Sequence, residues 1–99
     1  MFEIRKISIN DLIDELKKYA NDKRKSLELF ISPSFTKEVL INEMISNGFR
    51  LLALHASFKD KIRYSMMFVV GQKLCTISFT DSKESSFYHI QCFPMTETD

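Results

Sequence analysis

The sequence predicts an α+β domain, in which a mixed sheet is covered on one face by two helices. Three observations predict it: an amphipathic helical stripe near the start, a second helix that ends at an Asn-Gly pair, and a series of short apolar runs after it. Polar breaks separate these runs, as in an antiparallel meander. We expect residues 1–99 to form one domain, with residues 9–95 as its core and residues 96–99 as a frayed tail.

The first helix is predicted for residues 9–20. Its apolar side chains recur every three or four positions, the spacing of a helix with one buried face: Ile9, Leu12, Ile13, Leu16, Tyr19 and Ala20. Ser8 or Asn10 can cap its first turn, and its acidic start and lysine-rich end both suit the helix dipole. Residues 2–7 form either an edge strand or a simple lead-in.

A short apolar strand is predicted next, at residues 27–31, and Ser32-Pro33 ends it. The second helix runs from a cap at Ser34 to Asn47. Gly48 ends it, because glycine adopts the left-handed conformation that closes a helix without steric cost. Four of its side chains are expected to face the core: Leu40, Ile41, Met44 and Ile45.

Three strands of a meander are predicted after the second helix, at residues 51–58, 62–70 and 74–80. The third alternates cleanly, which indicates a half-buried strand with three residues on its core face: Cys75, Ile77 and Phe79. The last apolar segment, residues 87–95, is either a fourth strand or an irregular segment.

The charge balance argues mildly against a nucleic-acid module. Fourteen basic and thirteen acidic residues give a net charge of +1, whereas phosphate binding usually requires a larger positive excess. The start of the chain lacks an apolar region of signal-peptide length, and charged residues interrupt every long apolar stretch. We therefore expect a cytoplasmic protein.

The residues that could carry chemistry are few. His89 and Cys92 form one loose His-x-x-Cys pair, and His55 and Cys75 lie on predicted strands, but zinc sites usually contain close Cys or His pairs. We expect the two cysteines to be small buried thiols, with a disulfide bridge or a metal pair as alternatives. No catalytic, cofactor-binding or metal-binding residue is predicted.

Nucleic-acid binding is the more serious rival to protein binding. Five basic residues cluster around the end of the first helix, and they are Lys17, Lys18, Lys23, Arg24 and Lys25. Sheet aromatics such as Tyr64 and Phe68 could stack on bases, but the basic and aromatic pattern typical of RNA-binding sheets is absent. A solvated charge cluster is the commoner meaning of such a run.

Apolar residues are concentrated late in the chain, where no predicted helix remains to cover them. One interpretation is an edge strand packed on its own core, and the other is an exposed patch that binds a partner subunit. On the second interpretation the partner-binding residues are Phe87, Tyr88, Ile90, Phe93 and Pro94.

Several segments resemble those of a known family in their pattern and order. They are "DLIDELKKYAND", "GFRLLALHAS", "KIRYSMMF", "KLCTISF" and "SSFYHIQCFPM". Together with the order helix-strand-helix-three strands, they are similar to the thirty-kilodalton subunit of proton-pumping NADH:quinone oxidoreductase and its counterparts in energy-converting and formate-hydrogenlyase-type nickel–iron hydrogenases. The likeness covers most of residues 9–95. The acidic-arginine-acidic motif of that family is missing after the proline segment, and Ser57-Phe58 replace its acidic residue.

The resemblance implies a non-catalytic scaffold subunit that binds no cofactor and docks onto the larger catalytic subunit of an oxidoreductase or hydrogenase. Such a protein would be cytoplasmic, or peripheral at the membrane through its complex. It would take no small-molecule substrate. The alternative is a free-standing small binding protein, such as a nucleic-acid-binding or inhibitor module of a mobile element.

Overall fold

A computed structural model describes residues 4–21, 26–58, 62–81 and 87–95. The eight elements in this part of the chain, in order, are β1 (Ile4–Ile7), α1 (Ile9–Ala20), β2 (Leu27–Pro33), α2 (Lys37–Ser46), β3 (Arg50–Phe58), β4 (Ile62–Val70), β5 (Lys73–Asp81) and β6 (Tyr88–Pro94). The predicted α+β class is confirmed. The sheet has two strands, β1 and β6, beyond the predicted order, and the predicted frayed tail lies outside the described residues.

The six strands form one mixed sheet in the order β1-β2-β6-β5-β4-β3. Only β1 and β2 are parallel, and α1 connects them as a crossover helix. α2 then carries the chain to the opposite edge, and the meander from β3 to β6 returns it towards β2. β6 is therefore an internal strand between β2 and β5, so the interpretation of the late segment as an edge strand is wrong.

α1 begins and ends as predicted. The Ser8 hydroxyl accepts a hydrogen bond of 3.1 Å from the backbone N–H of Asp11, and the apolar stripe is buried against the sheet. Arg5 on β1 donates to both carboxylate oxygens of Glu15, at 2.9 and 3.0 Å. This fork-to-fork pair fixes the helix above the strand that precedes it.

α2 differs from the prediction at its start and on one flank. Its cap is Thr36, whose hydroxyl accepts from the backbone N–H of Val39 at 3.2 Å, and not Ser34. Leu40 and Met44 are fully buried, but Ile45 is 52% exposed. Ile41 is partly buried and packs against the core as predicted, so of the four predicted residues only Ile45 lies on the outer flank of the helix.

The core lies between the two helices and one face of the sheet. β2, β4, β5 and β6 alternate, and register aligns their buried positions on this covered face. The predicted inward positions of β5 are confirmed: Cys75, Ile77 and Phe79 are all buried.

Cys75 and Cys92 form a disulfide on the covered face. The two residues are directly opposite each other in the antiparallel pair of β5 and β6. The expectation of two separate thiols is wrong for a topological reason, since the sequence alone does not show that β6 pairs with β5 in this register.

The turn between β4 and β5 lies against the end of α1. Gly71 has φ +63°, and a Cβ atom there would lie 2.9 Å from both the Cβ and the carbonyl oxygen of Ala20. Lys73, only 6% exposed, donates to the Tyr19 carbonyl at 3.3 Å, with its ammonium group 3.9 Å from the centre of the Tyr19 ring. These contacts hold the helix on the covered face.

Candidate docking face

The face of the sheet opposite the helices has no layer packed on it within the described residues. Its centre is formed by alternate residues of β4, β5 and β6, whose register aligns them in three rows of three. We define these nine residues as the neutral patch: Ser65, Met67, Val69, Leu74, Thr76, Ser78, His89, Gln91 and Phe93. With histidine neutral, the patch carries no formal charge, although 27% of the chain is charged.

The neutral patch changes in polarity from one end to the other. One row consists of Val69, Leu74 and Phe93, and the Phe93 side chain is 44% exposed. The other two rows hold mainly hydroxyl, amide and imidazole groups, which can both donate and accept hydrogen bonds. The patch therefore offers an apolar anchor beside neutral polar groups, a combination that occurs in the centre of protein–protein interfaces.

Side chains on β2 fix the border of the neutral patch. The Nε2 atom of His89 lies 2.7 Å from the Oε2 atom of Glu28, and Gln91 donates to the same oxygen at 3.3 Å. The His89 ring also stacks on Phe30, with 4.2 Å between ring centres and 9° between planes. These contacts restrict the rotamers of His89 and Gln91 before any partner binds, which reduces the conformational entropy that these side chains lose on binding.

Charged residues on the open face lie at the border of the neutral patch or beyond it. Glu28 lies on β2, Arg50 faces Val69 from β3, and Lys6 lies on β1. All three are exposed. Charged groups at the rim of an interface orient a partner more than they contribute affinity.

Of the five residues predicted to bind a partner, three are at least partly exposed and two are buried. Phe93 and Pro94 are exposed, and Phe87 is half-buried with its ring 6.1 Å from that of Phe30. Tyr88 and Ile90 instead point to the covered face, with 6% and 0% exposure, and belong to the core. These two are therefore unavailable to a partner while the domain is folded.

Sequence reasoning missed His89 and Gln91 on the open face. The signal was present, because residues 88, 90 and 92 alternate with residues 89, 91 and 93 as they do in a half-buried strand. Treating the late segment as one apolar block concealed this alternation.

The sheet separates the histidines from the cysteines. Cys75 and Cys92 lie on the covered face, whereas His55 and His89 lie on the open face by register. Within the described ranges, no three His, Cys, Asp or Glu side chains form a group suited to a metal ion.

The residues considered for nucleic-acid binding do not share a surface. Tyr64 and Phe68 lie on the covered face, where Phe68 is fully buried and Tyr64 stacks on Phe79 at 5.1 Å between ring centres. Lys17 and Lys18 are exposed on α1, and residues 23–25 lie outside the described residues. The described part of the chain therefore does not combine these aromatic rings and cations into one site.

The chain was compared with protein-family models, with curated proteins and with solved structures, and nothing in any of the three matches it. Neither described helix is both long enough and apolar enough to cross a membrane. The surfaces of the chain itself are therefore the basis for inferring what it does.

Proposed function

We propose that this chain is a non-catalytic docking subunit that binds a larger protein through the neutral patch. The observation that carries the proposal is the absence of charge among the nine aligned residues of the neutral patch, which span three neighbouring strands of the open face. An antiparallel sheet that only faces water usually has polar and charged residues on its outer side. Leu74 and Phe93 instead present apolar surface to whatever covers this face.

A protein fits this surface better than a nucleic acid does. Binding of phosphates depends on lysine and arginine, and the neutral patch contains neither. The core of a protein interface, by contrast, is depleted in charged residues and enriched in aromatic residues and methionine. Phe93 and Met67 supply these two types of side chain.

The resemblance of segment pattern and order supports a more specific proposal. On that basis the partner is the larger catalytic subunit of a membrane-associated oxidoreductase or a nickel–iron hydrogenase. The chain would contribute surface complementarity, and the partner would contribute the redox chemistry.

The test is co-expression of the chain with the large subunits encoded by neighbouring genes, followed by co-purification and measurement of affinity. Met67→Arg places a charge in the middle row of the neutral patch, with two strands between it and Glu28, so docking would bury it unpaired. We expect the affinity to fall about 30-fold or more, because such a charge costs about 2–5 kcal/mol. Asn42→Arg is the matched control, since Asn42 is an exposed polar residue on α2, on the other side of the sheet.

Two results would contradict the proposal. One is a complex that Met67→Arg leaves intact, which would place the binding surface elsewhere. The other is binding to single-stranded oligonucleotides that weakens steeply with salt, which would favour the alternative of a free-standing nucleic-acid module.

A further inference from the structure

The two edges of the sheet differ in length and in charge. β1 has only four residues, two of which are Arg5 and Lys6. β3 has nine residues, and none between Leu51 and Phe58 is an acid, a lysine or an arginine. Natural proteins protect free edges with short strands, charged side chains and β-bulges, so β1 is protected along its length, whereas β3 has one register shift, between Leu51 and Ala53.

β3 also has the features of a strand that is covered in solution. Within the described residues no strand lies beside its outer edge, so alternate backbone N–H and C=O groups point away from the sheet. Leu52 and Leu54 are 51% and 56% exposed. α2 packs against the same strand and carries two more exposed aliphatic side chains, Val39 and Ile45.

We propose that β3 pairs with β3 of a second copy of this chain, as an antiparallel two-fold dimer. The six-stranded sheets of the two copies then form one continuous sheet, and the unpaired backbone groups of both edges are satisfied. The neutral patch stays open in each copy, because it lies on the face of the sheet and not at this edge. The inference is therefore independent of the proposed docking function.

Pairing of β3 with itself brings no like charges together, so a second copy suits this edge. With the two-fold axis at Leu54, Ala53 lies opposite His55, and the register shift at Leu52 lies opposite Ala56. No two like-charged residues face each other in this register. If β1 paired with its own copy about its centre, Arg5 would lie opposite Lys6, and like charges in that position are destabilising.

The same asymmetry stops the assembly at two chains. Once the β3 edges are paired, the β1 edges are the only ones among the described strands that remain free. These are short and positively charged, so they resist the addition of further copies.

Light scattering coupled to size-exclusion chromatography over a range of concentrations tests this inference on the intact chain. We expect twice the chain mass of 11.6 kDa. Leu54→Lys should weaken dimerisation at least about tenfold, because it places two ammonium groups together at the axis. Circular dichroism should show a folded variant, because Leu54 is more than half exposed.

Phe93→Lys is the matched control, because it adds the same charge to an exposed apolar residue of the neutral patch. It should leave the dimer intact while weakening the proposed docking. A monomer at every concentration, an open-ended polymer, or a dimer that Phe93→Lys breaks and Leu54→Lys does not would each overturn the β3 dimer. The first two outcomes would leave the docking proposal standing.

Discussion

The two faces of the sheet are built from the same strands but have opposite environments. In β6, Tyr88, Ile90 and Cys92 point to the helices and are buried, whereas the residues between them lie on the open face. The covered face is stabilised by the chain's own helices. The open face is neither apolar enough to be a second core nor charged enough to be an ordinary solvated surface, and this difference is the basis of the proposal that it binds another protein.

The largest difference between the faces should appear when neighbouring side chains of β6 are shortened. Ile90→Ala should lower the free energy of unfolding by about 2–5 kcal/mol, because it leaves a cavity in the core. Gln91→Ala should change it by no more than about 0.5 kcal/mol. Urea denaturation of both variants measures the two values. Equal losses would mean that the faces are not distinct.

Reduction of the disulfide should have the next largest effect. The bond between Cys75 and Cys92 closes a loop of sequence separation 17, and its loss should cost about 3 kcal/mol in unfolding free energy. Thermal denaturation with and without a reductant measures this effect. The double variant Cys75→Ala/Cys92→Ala is the control, and its Tm should not respond to the reductant.

The opposite result would be a wild-type Tm that the reductant leaves unchanged, together with two thiols that can be titrated after unfolding without a reductant. β5 and β6 would then be held together by backbone hydrogen bonds and packing, without a covalent link.

The attachment of α1 to the covered face can be tested at two glycines. Both have positive φ, so alanine at either position should cost about 1–2 kcal/mol in backbone strain. A Cβ atom at Gly48 meets no other atom within 4 Å, whereas one at Gly71 would collide with Ala20. Gly71→Ala should therefore cost at least about 1 kcal/mol more than Gly48→Ala, as measured by chemical denaturation.

If the two alanine variants were equally stable, the close contact between α1 and the β4–β5 turn would not contribute to stability. The helix layer would then be held by its apolar stripe and by the pair of Arg5 and Glu15.

The smallest effect is expected at the start of α2, in the layer above the covered face. A hydrogen bond with its own backbone, and then one with Lys37, lower the pKa of the exposed Glu38 carboxyl below its ordinary value of 4.5. A lowered pKa means that the folded state favours the charged carboxylate. The resulting stabilisation is present at neutral pH and is lost as the pH falls through the pKa of the folded state.

Thermal unfolding of wild type and Glu38→Gln across the acid range measures this contribution. The wild type should have a slightly higher Tm at neutral pH, and the difference should vanish at the acid end of the titration. A difference that stays constant with pH would assign the effect to something other than the charge of this carboxylate.

Local patterns were enough to predict α1 and the meander of the fold. The signals for α1 are the Ser8 cap and the apolar stripe, and each lies within a short stretch of sequence. The signals for the meander, the polar residues 59–61 and the Gly71-Gln72 pair, are equally local. Periodicity and capping signals depend on neighbours along the chain, so the sequence contains them directly.

The position of β6 in the sheet could not be predicted in this way. It depends on pairing with β2 and β5, and its partners in β2 are about sixty residues away in the chain, as for Glu28 and His89. The neutral patch and the disulfide both result from this placement. Both therefore depend on the pairing register of β6, which the sequence does not contain. The sequence does show the alternation within residues 88–94.

Two adjacent methionines provide the most direct test of the central claim, because they are chemically identical and lie on opposite faces. Met66 is fully buried beneath the helices, and Met67 is half-buried in the neutral patch. Peroxide oxidation followed by mass spectrometry should modify Met67 and spare Met66 in the isolated chain. In the co-purified complex, Met67 should become protected. Equal oxidation of both methionines in the isolated chain, or equal oxidation of Met67 with and without the partner, would contradict a docking surface on the open face.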